Sequence, residues 1–361
     1  MSGYSDRIAR VRARMDDAGV DVVLLSVGAD LPYLTGYEAM PLERLTMLVL
    51  PRRGDAQLVV ARLEAPRVAP QPDFEIVPWS EPGDPIALVA SMVGGAQQVA
   101  IGDQTWAGFA LDLQRALPKA EFRRASRIVS AVRAVKDADE IAALRAAGAA
   151  VDTVAADMRA RPFAGRTELD VHRELVDRML ELGHQHANFA IVGAADHAAS
   201  PHHEPGARVI NDGDVVLCDF GGTMNGYCSD ITRMFHVGEP GTEVRDTYAV
   251  LQDAQEAGVR AAQVGTPCEA VDAAARSVIA SAGLGEHFIH RTGHGIGVEA
   301  HEDPYIVAGN TDALVAGNAF SVEPGIYLAG RFGLRLEDIV VATAAGPERL
   351  NHADRGIAVV G

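Results

Sequence analysis

The stretch LCDFGGTMNGYCSDIT, from Leu217 to Thr232, sets Asp219 at the end of an apolar run and Asp230 eleven residues later. Val215, Val216, Leu217 and Cys218 read as a buried strand. A second strand is expected to return beside it from Tyr227 to Phe235, with Gly221-Gly222 and Asn225-Gly226 as hairpin turn signals. Side chains alternate across a strand. Both aspartates therefore face one side of the sheet only if paired residue numbers sum to an odd number, as with Asp219 opposite Asp230 or opposite Thr232. Two ionised carboxylates that close repel each other, so a cation must sit between them or one must hold a proton.

Composition narrows what such a site can serve. The 361 residues are 48% hydrophobic and 22% charged, with a net charge of −17. That length is a prior for two domains with a sizeable core. The charge excludes nucleic acid as a partner, because no basic stripe is present to neutralise phosphates. Three cysteines, Cys218, Cys228 and Cys268, are too few and too odd in number for a disulfide framework and point to a reducing compartment. The first residues, MSGYSDRIARVRARM, hold no apolar signal core, and no run reaches the length of a membrane span. A cytoplasmic protein with no membrane partner is expected.

Along the chain, Ile8, Val11 and Met15 fall at helical spacing between Ser5, a candidate N-cap, and Gly19, the stop. Strand-like runs follow at Val22 to Leu25, Leu45 to Leu50, Leu58 to Val60 and Phe74 to Val77. Helical patterns at Pro85 to Val93 and Gly108 to Leu117 flank a strand at Val99 to Ile101. This alternation reads as an α/β domain. After Arg127 the texture changes to a long alanine-rich helix from Asp137 to Arg159 and a second helix from Thr167 to Leu182, with strands from Phe189. The expected domains are 1–130 and 131–361. Within the second, Gly165-Arg166-Thr167-Glu168, helix, Gly183 is echoed about one hundred residues later by Gly265-Thr266-Pro267-Cys268-Glu269, helix, Gly283. Two facing copies of an α+β unit would place a site at their interface.

Four further segments accompany the hairpin: Pro201-His202-His203, HRTGHGIGVEAH from His290 to His301, SVEPGIY from Ser321 to Tyr327, and LRLEDIVV from Leu334 to Val341. Glu323 ends an apolar run before Pro324-Gly325. Glu337 lies in an alternating run, where an acid between Leu336 and Ile339 is costly to bury unpaired. Arg335, two residues before Glu337, would share its face of one strand and orient its carboxylate. Singly, each acid or histidine reads as well as surface or hydrogen-bonded core. Together Asp219, Asp230, His294, Glu323 and Glu337 make an oxygen-rich set with one imidazole. Such a set suits a pair of Mn²⁺, Co²⁺, Fe²⁺ or Zn²⁺ ions, whose charge four carboxylates balance. Paired ions of this kind activate water and polarise a carbonyl or phosphoryl oxygen.

The motifs DFGGTMNGYCSDITR, TGHGIGVEAHE, VEPGIY and LRLED resemble, in order and spacing, those of the pita-bread metallopeptidases, specifically the Xaa-Pro peptidases prolidase and aminopeptidase P. They cover the C-terminal two-thirds. The first 130 residues resemble the family's creatinase-like N-terminal domain by length and pattern. The resemblance implies an α/β creatinase-like domain followed by an α+β pita-bread catalytic domain with an internal pseudo-twofold repeat. It implies two divalent ions, Mn²⁺ first among them, held by Asp219, Asp230, His294, Glu323 and Glu337, with Asp230 and Glu337 bridging. The reaction it implies is attack of a metal-bridging hydroxide on the carbonyl before proline. Catalytic roles fall to Glu323 as general base, His301 steadying the tetrahedral intermediate and His202 shuttling protons or holding substrate; His290, Tyr327 and Arg335 fall at the substrate pocket and beside the glutamates.

Where family members often carry Gly-x-Asn/Ser, this chain reads Gly193-Ala194-Ala195-Asp196-His197-Ala198, which leaves His203 as an alternative to His202. The full ligand set departs from creatinase, and the N-terminal domain argues against methionine aminopeptidase. The family forms homodimers in which one N-terminal domain reaches the other subunit's site, which makes Leu34 to Arg44 a candidate wall of the pocket. Expected substrates are Xaa-Pro dipeptides or peptides with proline second. The competing readings are organophosphate triester hydrolysis on the same site and a non-catalytic peptide-binding module.

Overall fold

The structure, a computed structural model, describes residues 3–361 and divides into two compact units after Arg133. In the first unit α1 (Tyr4–Ala18) buries Ile8, Val11 and Met15 and stops at Gly19, whose φ of 64° turns the backbone left-handed. Gly3, not Ser5, stands at its N-cap. Ser5 lies in the first turn, where its hydroxyl donates to Asp73 rather than capping the helix. There follow β1 (Val22–Leu25), α2 (Asp30–Thr35), β2 (Met47–Pro51), β3 (Ala56–Ala61), β4 (Phe74–Trp79), α3 (Pro85–Val93), β5 (Gln98–Ile101), α4 (Ala107–Ala116), β6 (Glu121–Arg124) and α5 (Ser126–Arg133). The strands form one mixed sheet in the order β4-β3-β2-β1-β5-β6. Leu24, Met47, Val59, Val99 and Leu113 make its core.

The second unit opens with α6 (Ala138–Met158) and α7 (Glu168–Glu181), each started by a capping box, Asp137 with Glu140 and Thr167 with Asp170. Next come β7 (His186–Ala194), β8 (Val215–Met224), β9 (Tyr227–Cys228) and β10 (Ile231–Val237). The second half repeats the plan with α8 (Thr242–Ala261) and α9 (Cys268–Ser281), then β11 (Gly293–Gly295), β12 (Glu302–Ile306), β13 (Ala319–Val322), β14 (Gly325–Leu328), β15 (Phe332–Arg335), β16 (Asp338–Thr343), β17 (Gly346–Arg349) and β18 (Ala358–Val360). One sheet runs β18-β10-β8-β7 with β9 beside β8, another runs β12-β11-β13-β16-β17, and β14 pairs with β15.

Each helix pair is sealed to its own sheet. Val154, Leu175, Phe220 and Phe235 pack together in the first half, and Val259, Val271, Phe320 and Val340 in the second. The echo seen in the sequence is a real structural repeat. Gly165 and Gly265 both take positive φ, and their N–H groups donate to the carbonyls of Ile210 and Leu314. One residue before each helix, Thr167 and Pro267 bridge to Val209 and Ala313.

The hairpin has the register that the two aspartates require. Asp219 pairs with Thr232 and Met224 with Tyr227, both odd sums, so one register runs through the whole hairpin. Its two-residue turn is Asn225-Gly226, with φ of 52° and 80°. Gly221-Gly222 is not a turn but part of β8. A Cβ would lie 2.1 Å from the Ser229 carbonyl oxygen at Gly221 and 2.4 Å from that of His186 at Gly222. The glycines therefore serve close approach of neighbouring backbone rather than chain reversal. The return strand is also interrupted at Ser229-Asp230, between β9 and β10, although the Ser229 N–H still donates to the Gly222 carbonyl in the same register. Replacing Gly221 by Ala is expected to destabilise the protein by about 3 kcal/mol, since the obstructing atoms are backbone. Gly226→Ala, in open space, should cost about 1 kcal/mol through its positive φ alone. Thermal midpoints of the two variants check that order.

Candidate active site

Asp219 lies within β8 and Asp230 in the break of the return strand. His294 is the middle residue of β11, Glu323 follows β13, and Glu337 lies between β15 and β16. These five side chains converge. Asp219, Asp230 and Glu337 each offer a ligand atom within 4.8 Å of the others, as do His294, Glu323 and Glu337, and Asp230, His294 and His301. They line a cavity of about 770 Å³ together with His202, His290, His301 and Arg335. Its apolar lining includes Phe189, Ile191 and Ile289.

Glycines on either side let His294 reach this position. A Cβ at Gly293 would fall 1.9 Å from the Ser321 carbonyl oxygen and one at Gly295 2.3 Å from that of Asp303. His294 Nδ1 lies 3.1 Å from the Gly295 carbonyl oxygen, to which it donates, so Nε2 is the nitrogen that faces Glu323 Oε1 at 3.2 Å and Asp230 Oδ2 at 3.8 Å, as a hydrogen-bond donor when protonated and as a ligand through its lone pair when a cation is bound. The backbone N–H of His294 donates to Ser321 Oγ, which in turn donates to Glu323 Oε1 at 3.1 Å.

Arg335 ties the rest together. It donates to Asp219 Oδ2 at 2.5 Å, Tyr327 Oη at 2.8 Å and Thr232 Oγ1 at 3.1 Å. Thr232 Oγ1 then donates to Glu337 Oε2 at 2.7 Å. The expectation that Arg335 and Glu337 share one face of a strand is corrected here. The strand ends at Arg335, so the guanidinium orients Asp219 and reaches Glu337 only through Thr232. Tyr327 is buried behind the cavity wall and passes its own O–H to His290 Nε2 at 2.9 Å. His202 faces the cavity. His203 turns away to Glu168 Oε2 at 2.9 Å, so of the two neighbours it is His202 that lines the cavity.

Three carboxylate oxygens, Asp219 Oδ1, Asp230 Oδ1 and Glu337 Oε1, are buried with no hydrogen-bond partner. Such atoms are costly unless a cation or proton meets them. Four acids, one imidazole lone pair and no thiolate fit a pair of divalent cations that prefer oxygen. Without cations, burial first and then the charges of Glu337, Asp219 and Glu323 hold the Asp230 carboxyl well above the ordinary range. Burial, Glu323 and Asp219 do the same to Glu337. Glu323 goes the other way. Burial opposes its charge, but the hydrogen bond and charge of His294, with His290 and Arg335, bring it down to about 2. Burial and neighbouring His294 lower His301 to about 4, so its ring is neutral near neutral pH.

The fold and this cluster define a metallopeptidase, a hydrolase with a creatinase-type N-terminal domain and a pita-bread catalytic domain. The chain belongs to Metallopeptidase family M24, which residues 142–344 match, while residues 7–135 match the Creatinase/Prolidase N-terminal domain. It is 43% identical over 363 residues to a probable dipeptidase PepE of Mycobacterium tuberculosis, covering 99% of this chain and 96% of the relative. The crystal structure of dipeptidase PepE from Mycobacterium ulcerans superposes with a TM-score of 0.93 at 43% identity, over 99% of this chain and 98% of that one. A prolidase from Thermococcus sibiricus superposes with a TM-score of 0.91 at 36% identity, over 99% of each chain.

The raised carboxyls set a pH dependence. A carboxyl with a folded pKa above its unfolded value stabilises the fold below the unfolded pKa, and that benefit is lost as pH rises through the folded one. Metal-free protein is therefore expected to lose stability as pH rises from the ordinary carboxylate range through the elevated pKa values of Asp230 and Glu337. Mn²⁺ should release protons on binding and stabilise the protein more at higher pH. Thermal midpoints across a pH series with chelator and with Mn²⁺ read the widening gap.

Proposed function

We propose that the protein hydrolyses Xaa-Pro peptide bonds, as a dipeptidase or an aminopeptidase, with Asp219, Asp230, His294, Glu323 and Glu337 holding two divalent ions, Mn²⁺ in the first instance. The observation that carries this reading is the convergence of these five side chains, with three buried carboxylate oxygens left without a protein partner. The dipeptidase and prolidase among its relatives support the substrate class. When bound, the ions would supply an activated water and would polarise the scissile carbonyl.

The chain's own groups do the rest. Glu323 is the general base: its Oε1 is held by Ser321, which leaves Oε2 to take the proton of the attacking water. His301, whose ring centroid lies 3.8 Å from that of His294, is a neutral N–H donor for the charge that develops on the carbonyl oxygen. His202 also lines the cavity, to hold substrate or pass a proton to the leaving nitrogen. His290 contacts substrate, and Tyr327 and Arg335 keep it and Asp219 in place. Free, buried Cys218, Cys228 and Cys268 fit a cytoplasmic location, and a homodimer would bring the Leu34 to Arg44 segment of one subunit to the other's cavity.

Turnover of Xaa-Pro dipeptides and longer Xaa-Pro peptides on Mn²⁺-loaded protein tests the reading. Chelation should abolish it and Mn²⁺ restore it, whereas metal-independent turnover, or none on any Xaa-Pro peptide, counts against it. A phosphotriester assayed in parallel should be the poorer substrate. Arg44→Ala should shift the ratio of dipeptide to tripeptide turnover several-fold while metal content stays constant, and an unchanged ratio removes that segment from the pocket.

A further inference from the structure

The loop that carries His202 is organised by a group outside the cavity. We propose that Glu168 is a positioning residue for His202, anchoring the segment from Ala194 to Gly206 so that the imidazole is held where substrate enters. The proposal rests on the peptidase reading of this cavity.

Glu168 is the first residue of α7 and its side chain is wholly buried. Its Oε1 accepts from the backbone N–H of Ala194 at 2.9 Å and from His197 Nδ1 at 3.0 Å. Its Oε2 accepts from His203 Nε2 at 2.9 Å and from the backbone N–H of Gly206 at 3.3 Å. One carboxylate thus gathers both ends of the segment and two histidines within it. The helix N-terminus beneath it favours the negative charge. Burial alone would drive its pKa up, yet the donors from Ala194, His203 and Gly206 outweigh burial and keep it lowered.

Glu168, His197 and His203 have the spacing of metal ligands. Each Glu168 oxygen, however, already accepts two protein N–H groups, so its lone pairs are engaged by the loop. Nor does the helix start itself require an acid, because Cys268 opens α9 at the matching position of the repeat. On the cavity side, Arg335 donates to the Pro201 carbonyl at 3.3 Å, and a Cβ at Gly333 would lie 2.0 Å from the Ala198 carbonyl oxygen. Among the described residues, no protein hydrogen bond holds the His202 ring itself, so its place is inherited from this doubly pinned backbone.

A double-mutant cycle on Mn²⁺-loaded protein tests this, using E168Q, H202A and the pair, with kcat/KM for an Xaa-Pro dipeptide. E168Q alone should lower kcat/KM by about 10–100-fold with metal content unchanged. In the H202A background it should lower it by less than about 3-fold, because the group it positions is already gone. Amides of residues 194–206 should exchange with deuterium faster in E168Q, with β8 and β13 unchanged. Equal losses in both backgrounds, or unchanged kcat/KM and unchanged exchange, overturn the proposal. Should E168Q not fold, H203A removes a single donor to the same carboxylate and is carried through the same cycle. Absence of Xaa-Pro turnover in the unaltered protein defeats the peptidase reading separately, and the exchange measurement then decides whether Glu168 anchors the loop.

Discussion

Mutual repulsion among buried carboxylates is the constraint that orders this catalytic domain. Two like charges about 4 Å apart cost about 4 kcal/mol at the effective dielectric of a protein site, and four acids approach one another here. The backbone accommodates them by leaving its ladders. Glu323 and Glu337 lie just outside strands, where a side chain is free of the alternation that would fix its direction, whereas Asp230 sits in a break of the hairpin and keeps the hairpin's register. Asp219 and His294 stay within strands, and glycines nearby admit the close backbone contacts that their placement needs.

Arg335 is the counterweight the protein itself supplies. Its planar fork reaches an acid, a phenol, a threonine hydroxyl and a loop carbonyl at once, which an ammonium group could not do. Burial disfavours its charge, but Tyr327, Asp219 and the two glutamates outweigh that, so it stays cationic. Through Thr232 and Tyr327 the same residue links Asp219 to Glu337 on one side and to His290 on the other.

Much of this was legible in the sequence, for identifiable reasons. The parity of the hairpin follows from strand alternation and a two-residue Asn-Gly turn, both local properties, and Asp219 opposite Thr232 obeys it. The first helix pair begins where the sequence placed it, at Asp137 and Thr167, residues whose side chains bond within one turn. Local signals misled where a side chain bonded elsewhere: the Ser5 hydroxyl reaches Asp73, and Gly221 serves strand contact rather than a turn. The polar run of β6 has too little alternation to declare a strand, and it forms one at the sheet edge beside β5. The grip of Glu168 on Ala194, His197, His203 and Gly206 spans contacts 26 to 38 residues apart, and that of Arg335 on Asp219 spans 116, which no window of sequence contains.

The repeat described above divides the five proposed ligands unequally, with Asp219 and Asp230 from the first half and His294, Glu323 and Glu337 from the second. Each half has its own helix pair and its own apolar core. The halves are already joined by a core that draws on both, Leu217 and Met234 with Leu251 and Leu334, and by the pairing of β18 with β10, so ions shared across that seam would add a removable cross-link to permanent ones. Part of the mechanical coupling around the cavity would then depend on metal supply, and an enzyme starved of metal would be looser at its site as well as idle.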